Sequence, residues 1–545
     1  MSSRINKACD GCRVRKVKCS GALPCSQCAH LDLPCHFSPP SGKRKPGVRN
    51  RLVEQLREQN SHQPHGPHSP TPPAVAPSPS ASTPAVTSVA GIINPDFPAT
   101  SPSASSTTTG PDSYSRDFFL RLLPDFESIV YPVSPIITPD ELRDAISTMH
   151  STHEDAALVY GFAAVTINLS QTSSWTLVNG DVAAQVSDLM QRSLVAHRLA
   201  DLSPGPNPGP GPMLGELSIT VKRIMTCIFL EITMMAFRLF QRSFVILREA
   251  ISLLQSLKVF HYPDTDDPTA TALGRREIAR RQRLYWECFI HERFVNIMSG
   301  CPSVLRPLST GPPVPDPSIP RYVDLGFRHL LSLFAVMDES FLSHWNAQND
   351  PGVPVPEPMT AQWIENKQAE LDRHEADTAA DEDRLRAAQG TELTELQHAD
   401  LFITRLWLRT LVWQLALSHR LLCSTPPQTA HQGLSLHFPA NRLSAQLRSL
   451  VCRLDSVASI GTHGSGILQK LFEITTTVAD VLALPWQATQ DDVKTRMEDF
   501  TFLVGFLFRF ERISKEEREY MRQKLEILQQ TYAVVDFGTL TVRSA

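Results

Sequence analysis

Between Cys9 and Cys35 the chain reads CDGCRVRKVKCSGALPCSQCAHLDLPC, which places six of its eleven cysteines within 27 residues. No other feature restricts the fold as strongly. The gaps repeat: Cys9-x2-Cys12-x6-Cys19, five residues, then Cys25-x2-Cys28-x6-Cys35. A duplicated spacing predicts two like units related by an approximate twofold axis. Three chemistries use clustered cysteines. Disulfides require an oxidising compartment, and the opening MSSRINKACD lacks the apolar stretch of a secretory signal. An iron–sulfur site needs only four thiolates, and two matched triplets are not its usual pattern. Zinc takes C-x2-C pairs and accounts for the spacing best.

Coordination arithmetic sharpens the zinc reading. A structural zinc takes about four ligands, so one ion leaves two sulfurs idle. Two ions need about eight bonds from six sulfurs, so two sulfurs must bridge both metals. The twofold axis makes those two equivalent positions, such as Cys9 and Cys25. Six thiolates with two zinc ions leave a net charge of −2, which nearby Lys and Arg offset.

The two halves differ in charge. The first six-residue gap, RVRKVK, carries Arg13, Arg15, Lys16 and Lys18; the second, AHLDLP, carries no cation and one Asp. A short helix with clustered cations fits the DNA major groove, where Lys or Arg donates to guanine O6 and N7. A solvated face that balances the cluster would explain the charge, but not its confinement to one half. Residues 1–60 hold twelve Lys and Arg against four Asp and Glu, a net +8, while the remainder nets −12. A basic arm on an acidic body points to nucleic acid as partner.

The segment resembles the fungal binuclear zinc cluster, the six-cysteine DNA-binding module of fungal transcription regulators. The likeness rests on the spacing, on Ala8-Cys9-Asp10, on the basic first gap and on Pro24 before Cys25. It covers residues 6–40. It implies two zinc ions bridged by Cys9 and Cys25, base reading of a CGG-type triplet by Arg15 and Lys16, and phosphate contacts from Arg13 and Lys18. The gap Ser20 to Pro24 is at the short end for the family, and the isomer of the Pro24 peptide is left open.

Residues 41–60 read as a basic linker followed by a short helix. Lys43, Arg44 and Lys45, with Arg49 and Arg51, fit a nuclear-import signal, a phosphate-contacting linker, or both. Val48, Leu52, Val53 and Leu56 form a helical stripe of under two heptads. Two readings stand: a helix that pairs two chains on DNA, and a marginal helix that orders only there. Residues 61–112 are rich in Pro, Ser, Thr and Ala, with Asp96 and Asp112 as their only charges. Such a stretch buries too little apolar surface to offset its ordering entropy, so disorder is expected. His62, His65 and His68 lie in this tract, which holds no metal geometry.

From residue 113 to 545 the composition is globular and helical periodicity dominates. Thr138-Pro139-Asp140-Glu141 is a helix start followed by Leu142, Ala145, Ile146 and Met149. RSFVILREAISLLQSL places Phe244, Leu247, Ala250, Ile251, Leu254 and Leu257 on one face. DLFITRLWLRTLVWQLALSHRLL is a long apolar helix, and Ser514-x-x-Glu517 opens a last one. No segment sustains a period of two, so the fold class is all-α: a small zinc module, a linker and a large helical domain. Pro/Gly-rich stretches near 203–212 and 307–319 and the polar 349–359 are expected to separate layers of that domain. The apolar run from Ile224 to Phe240 is broken by Glu231 and Arg238, which predicts core and no membrane span. A soluble, intracellular chain is expected. Cys227, Cys288, Cys301, Cys423 and Cys452 have no partner spacing and read as buried thiols.

The body also resembles the helical regulatory domain that follows the zinc cluster in these fungal regulators. The likeness is carried by Arg280-Arg281, Tyr285-Trp286, Glu292-Arg293 and Gly300-Cys301-Pro302. It points to the branch that holds maltose and amylase activators and regulators of secondary-metabolite clusters. Glu292-Arg293 is read as a structural ion pair. No enzyme motif is present: His291-Glu292 lacks a second His at 295, Gly464-Ser465-Gly466 is not a nucleophile elbow, and there is no P-loop.

The combined expectation is a nuclear, two-zinc, sequence-specific regulator of RNA polymerase II genes that binds double-stranded DNA, with a homodimer on DNA as one of the two readings of the 48–60 stripe. A small-molecule inducer or co-regulator would act on the helical body. Resemblance favours a secondary-metabolite (polyketide-type) cluster over carbohydrate catabolism. A rival of another class is a zinc-organised protein–protein adaptor.

Overall fold

Capping side chains set several helix starts in this chain. In the computed structural model, residues 22–25, 28–29, 35 and 114–532 are described, the last span interrupted at 171–181, 203–216, 260–271, 314–315, 349, 351, 356, 425–431, 455–459, 461–463, 485–489 and 511. The chain divides into two units, residues 1–86 and 87–545. In the first, the Leu23–Pro24 peptide is cis, and Cys28 and Ala29 donate their backbone N–H to Cys25 O at 3.0 and 2.9 Å, closing a helical turn. The remaining residues of the basic arm, the helix expected at 48–60 and the linker 61–112 lie outside the described residues.

The second unit is helical. A run of short helical turns spans Arg116–Arg121, Leu123–Asp125 and Phe126–Val130. Then α1 (Pro139–Thr148) opens on a capping box: Thr138 Oγ1 accepts from Glu141 N, and Glu141 accepts from Thr138 N at 2.9 Å. Next come α2 (His153–Ser170), α3 (Val182–Leu202), α4 (Val221–Ala236) and α5 (Phe240–Ser256), which pack on one another. The apolar run from Ile224 is therefore one helix that ends before a turn at Arg238, whose φ is 58°. On α5, Ile246 and Leu253 join Leu247, Ala250, Ile251 and Leu254 in the core, while Phe244 and Leu257 are only half-buried.

Helix α6 (Ala272–Ser299) links this group to the rest. It packs on α4 and α5 and also on α7 (Arg321–Ala335) and α8 (Glu339–Ala347). Helix α9 (Ala361–Gln389) and α10 (Glu395–Ser418) lie against each other and against α7. A Cβ at Gly326 of α7 would collide with the Gln397 amide, which donates to Pro132 O and Tyr322 O at 3.1 Å each. Glycine is what allows α7 and α10 to close on that amide. Then follow α11 (Ser444–Arg453), α12 (Ser465–Leu482), α13 (Gln490–Leu507) and α14 (Lys515–Thr531). Ser514 and Glu517 form the expected capping box of α14, and Met521, Leu525 and Leu528 are buried below it. The β pairing among the described residues is an isolated bridge, Cys423 to Ser435. No helix of the described residues is long and apolar enough to cross a membrane.

The 307–319 stretch is bonded to α6 at Gly311 and Asp316. One expectation changes: Cys423 and Cys452 are exposed and Cys301 half-buried, and only Cys227 and Cys288 are buried thiols among these five. Apolar sequence context misplaced them because Cys452 sits on the outward side of α11 and Cys423 follows the end of α10.

Candidate zinc centre and a cavity in the helical body

The second cysteine triplet converges. Cys25, Cys28 and Cys35 bring their sulfurs within 4.8 Å of one another. The first two are wholly buried. The turn from Cys25 to Cys28 supplies two of the sulfurs, and the x6 gap returns Cys35 to them. Cys25 N–H donates to Cys35 Sγ at 3.2 Å, the bond a thiolate accepts. Tetrahedral zinc with Zn–S near 2.3 Å spaces its sulfurs about 3.8 Å apart, so this donor set fits zinc. Cys9, Cys12, Cys19 and the cations Arg13, Arg15, Lys16, Lys18, Lys43, Arg44 and Lys45 lie outside the described residues.

In the body, the block around Arg280–Pro302 is a structural ladder. Successive side chains of α6 grip the segment that turns back along it after Gly300, whose φ of 70° reverses the chain. Asn296 donates to Cys301 O at 2.6 Å, and Glu292 accepts from Val304 N and Leu305 N at 2.9 Å each. Arg293 donates to Leu305 O at 2.9 Å, Tyr285 to Arg306 O at 2.7 Å and Trp286 to Gly311 O at 3.2 Å. Arg283 meets Asp316 at 3.2 Å. Glu292 and Arg293 thus serve backbone and each other, at 3.5 Å, rather than a ligand.

The acidic stretch 366–385 lies within α9, and two of its carboxylates face α10. Arg409 of α10 pairs with Asp372, and Arg405 reaches Glu375 at 3.5 Å. These carboxylates neutralise guanidiniums that α10 would otherwise bury alone.

A cavity of about 170 Å³ opens where α2, α4, α6, α7, α10 and α12 meet the 129–134 turn. Its wall is chiefly apolar, with Ile232, Met235, Ile290, Phe294, Phe334 and Ile467 among the lining side chains. Set into this wall are Ser134, Glu231, Glu287, His291, Asp400 and Lys470. His291 Nδ1 lies 2.8 Å from Glu231 and Nε2 3.6 Å from Glu287. Burial alone would lower the imidazole's pKa; the two carboxylates outweigh it and push it up to about 10. Lys470 donates to Thr404 Oγ1 at 2.7 Å and stands 3.5 Å from Asp400, under the rings of Phe294, Phe334 and Trp407. Burial lowers its pKa, against the pull of Asp400. Sequence reading missed this cavity. Its signals were Glu231 and Lys470, each an ionisable residue inside an apolar helical run.

Residues 7–44 match the family described as the fungal Zn(2)-Cys(6) binuclear cluster domain. Along most of its length the chain is similar to the maltose fermentation regulatory protein MAL13 of Saccharomyces cerevisiae, 21% identical over 492 residues, 87% of this chain and 84% of that protein. Shorter matches include the notoamide biosynthesis transcriptional activator notL' of Aspergillus versicolor, 34% identical over 55 residues, 10% of this chain and 9% of that one. Another is the AAl-toxin cluster-specific transcription factor ALT13 of Alternaria alternata, 35% identical over 63 residues, 12% and 10% of the two chains. The cluster domain binds two zinc ions.

Proposed function

We propose, from the premise that this chain is a fungal Zn(2)-Cys(6) transcription regulator, that it acts in the nucleus as a pathway-specific, non-enzymatic switch for RNA polymerase II genes. The observation that carries DNA reading is the confinement of four cations to RVRKVK while AHLDLP has none. Bound zinc supplies folding: it ties the cysteine-bearing segments into one module. Cys9, Cys12, Cys19, Cys25, Cys28 and Cys35 hold the two ions. Arg15 and Lys16 then donate to guanine edges of a CGG-type triplet. Arg13, Lys18, Lys43, Arg44 and Lys45 neutralise phosphates. The module occupies 6–40, the basic linker with its short helical stripe 41–60, the Pro/Ser/Thr-rich linker 61–112 and the regulatory body 113–545.

The pathway we favour is a secondary-metabolite cluster of polyketide type. Similarity to a notoamide biosynthesis activator and to a toxin cluster-specific transcription factor, and the apolar wall of the cavity, support it. The second reading is carbohydrate catabolism, supported by similarity to a maltose regulator over most of the chain. Genome-wide mapping of bound sites separates them: promoters of one biosynthetic cluster support the first, promoters of sugar-uptake and glycosidase genes the second. An adaptor that binds acidic proteins instead of DNA would show neither triplet preference nor a steep salt dependence on DNA.

A further inference from the structure

We infer that the cavity between α4, α6 and α12 binds a small uncharged molecule with an apolar body and at least one hydroxyl or carbonyl oxygen. Three features of the wall lead there.

First, the wall is mostly hydrocarbon, which favours an apolar body over a sugar. A sugar carries a hydroxyl on nearly every carbon, and each would need a partner that Ile232, Met235, Ile290 and Phe334 cannot provide. Second, each charge in the wall already faces an opposite one. His291 faces Glu231 and Glu287, and Lys470 faces Asp400. An anion entering the cavity meets three carboxylates, and a cation meets Lys470 and the His291 imidazolium. An uncharged ligand avoids both. Third, hydrogen-bonding capacity is left over. Lys470 has three N–H positions; two are given, to Thr404 at 2.7 Å and to Asp400 at 3.5 Å, and the third is left. Ser134, 5% exposed, has a buried hydroxyl with no partner among the described residues. Leaving such a group unmatched is costly, and a ligand oxygen would relieve it.

Gly466 gives the cavity its room. A Cβ there would meet only Phe294, at 3.9 Å, an ordinary contact. A larger side chain at 466 therefore grows into the cavity without displacing backbone. The second residue of α12 also tolerates it, since leucine favours helix over glycine.

The inference deepens the regulatory reading of the body, but binding can be measured without DNA. The probe is 2-naphthol, an uncharged bicyclic phenol, titrated calorimetrically into the zinc-loaded full chain. 2-Naphthoate and maltose are the comparisons. One 2-naphthol per chain is expected, with 2-naphthoate at least about tenfold weaker and maltose silent. Gly466→Leu is expected to abolish 2-naphthol binding while leaving helix content and thermal midpoint intact. Should that variant fold poorly, Ile232→Phe fills the same space from α4. Absence of 2-naphthol binding in the wild type, or equal binding in a folded filled variant, overturns the site. Maltose binding that a filled variant removes, or 2-naphthoate binding as tight as 2-naphthol, overturns the ligand class. A filled variant that loses 2-naphthol yet leaves target-gene output unchanged in cells supports the site and removes its regulatory role.

Discussion

His291 Nδ1 and Glu231 Oε2 stand 2.8 Å apart across the junction of α4 and α6. The pair places an imidazolium between two carboxylates at the wall of the cavity. Its folded pKa of about 10 lies above the ordinary 6.5. The stabilisation is then fully present below about 6.5 and is lost as pH rises towards about 10. Thermal melts of the zinc-loaded chain should show the gap between wild type and His291→Gln widest near pH 6 and mostly closed by about pH 10. Parallel curves across that range would refute the pairing.

Glu292 tests the ladder. It is 1% exposed, and its carboxylate takes two backbone N–H groups at 2.9 Å and Arg248 at 2.8 Å. Glu292→Ala should cost roughly 1–3 kcal/mol, because it leaves the N–H groups of Val304 and Leu305 without their acceptor and takes one of two partners from Arg248, which keeps Pro302 O. Denaturant midpoints measure the loss, and hydrogen exchange should quicken at Val304 and Leu305. A cost below about 1 kcal/mol would place the grip on the loop elsewhere.

Local chemistry made much of this body legible. Thr138 and Ser514 mark helix starts because their side chains satisfy N–H groups that no helix can pair. The same logic applies at Thr394, whose capping box with Gln397 starts α10 well before its apolar run. Attention to the apolar run alone hid that start. The cavity was hidden for another reason. Val133, Glu231, His291, Phe334 and Lys470 belong to elements spread over some 340 residues, and their meeting is a product of packing. The roles of Asp372 and Glu375 on α9 were opaque in the same way: their arginine partners lie on α10. The cysteine cluster lies at the other extreme, since metal coordination fixes ligand number and spacing within a single short segment.

Metal content follows from six thiolates shared between two ions. The zinc-loaded chain should contain two zinc ions by elemental analysis, and Cys25→Ser, at a proposed bridge, should release both and melt the module. Retention of one zinc in Cys25→Ser would show that this sulfur ligates a single metal.

Base reading separates Lys16 from Lys18. Lys16→Ala should cost roughly 1–3 kcal/mol on a CGG-type triplet and relax triplet preference. Lys18→Ala should weaken all sequences about equally and reduce the slope of log K against log salt by about one. Binding curves on matched and scrambled duplexes decide the matter. An equal loss on both from Lys16→Ala refutes its assignment.

Pairing on DNA is the last expectation, and it rests on length. The stripe of Val48, Leu52, Val53 and Leu56 offers less than two heptads, and helices that short are marginal alone in water. The ten residues from Ser38 to Gly47 stretch at most about 33 Å. Two modules tethered to a common short coil would therefore reach triplets up to about one helical turn, ~34 Å, apart. The full chain should bind paired triplets more tightly than one, with the gain appearing as avidity rather than as new base contacts. Leu56→Asp should erase that gain and leave single-triplet affinity nearly unchanged, because Arg15 and Lys16 are untouched. Titrations on one and two triplets, with sedimentation in the absence of DNA, measure both. If a second triplet brings no gain to either protein, the chain reads DNA as a monomer and the 48–60 stripe has another use.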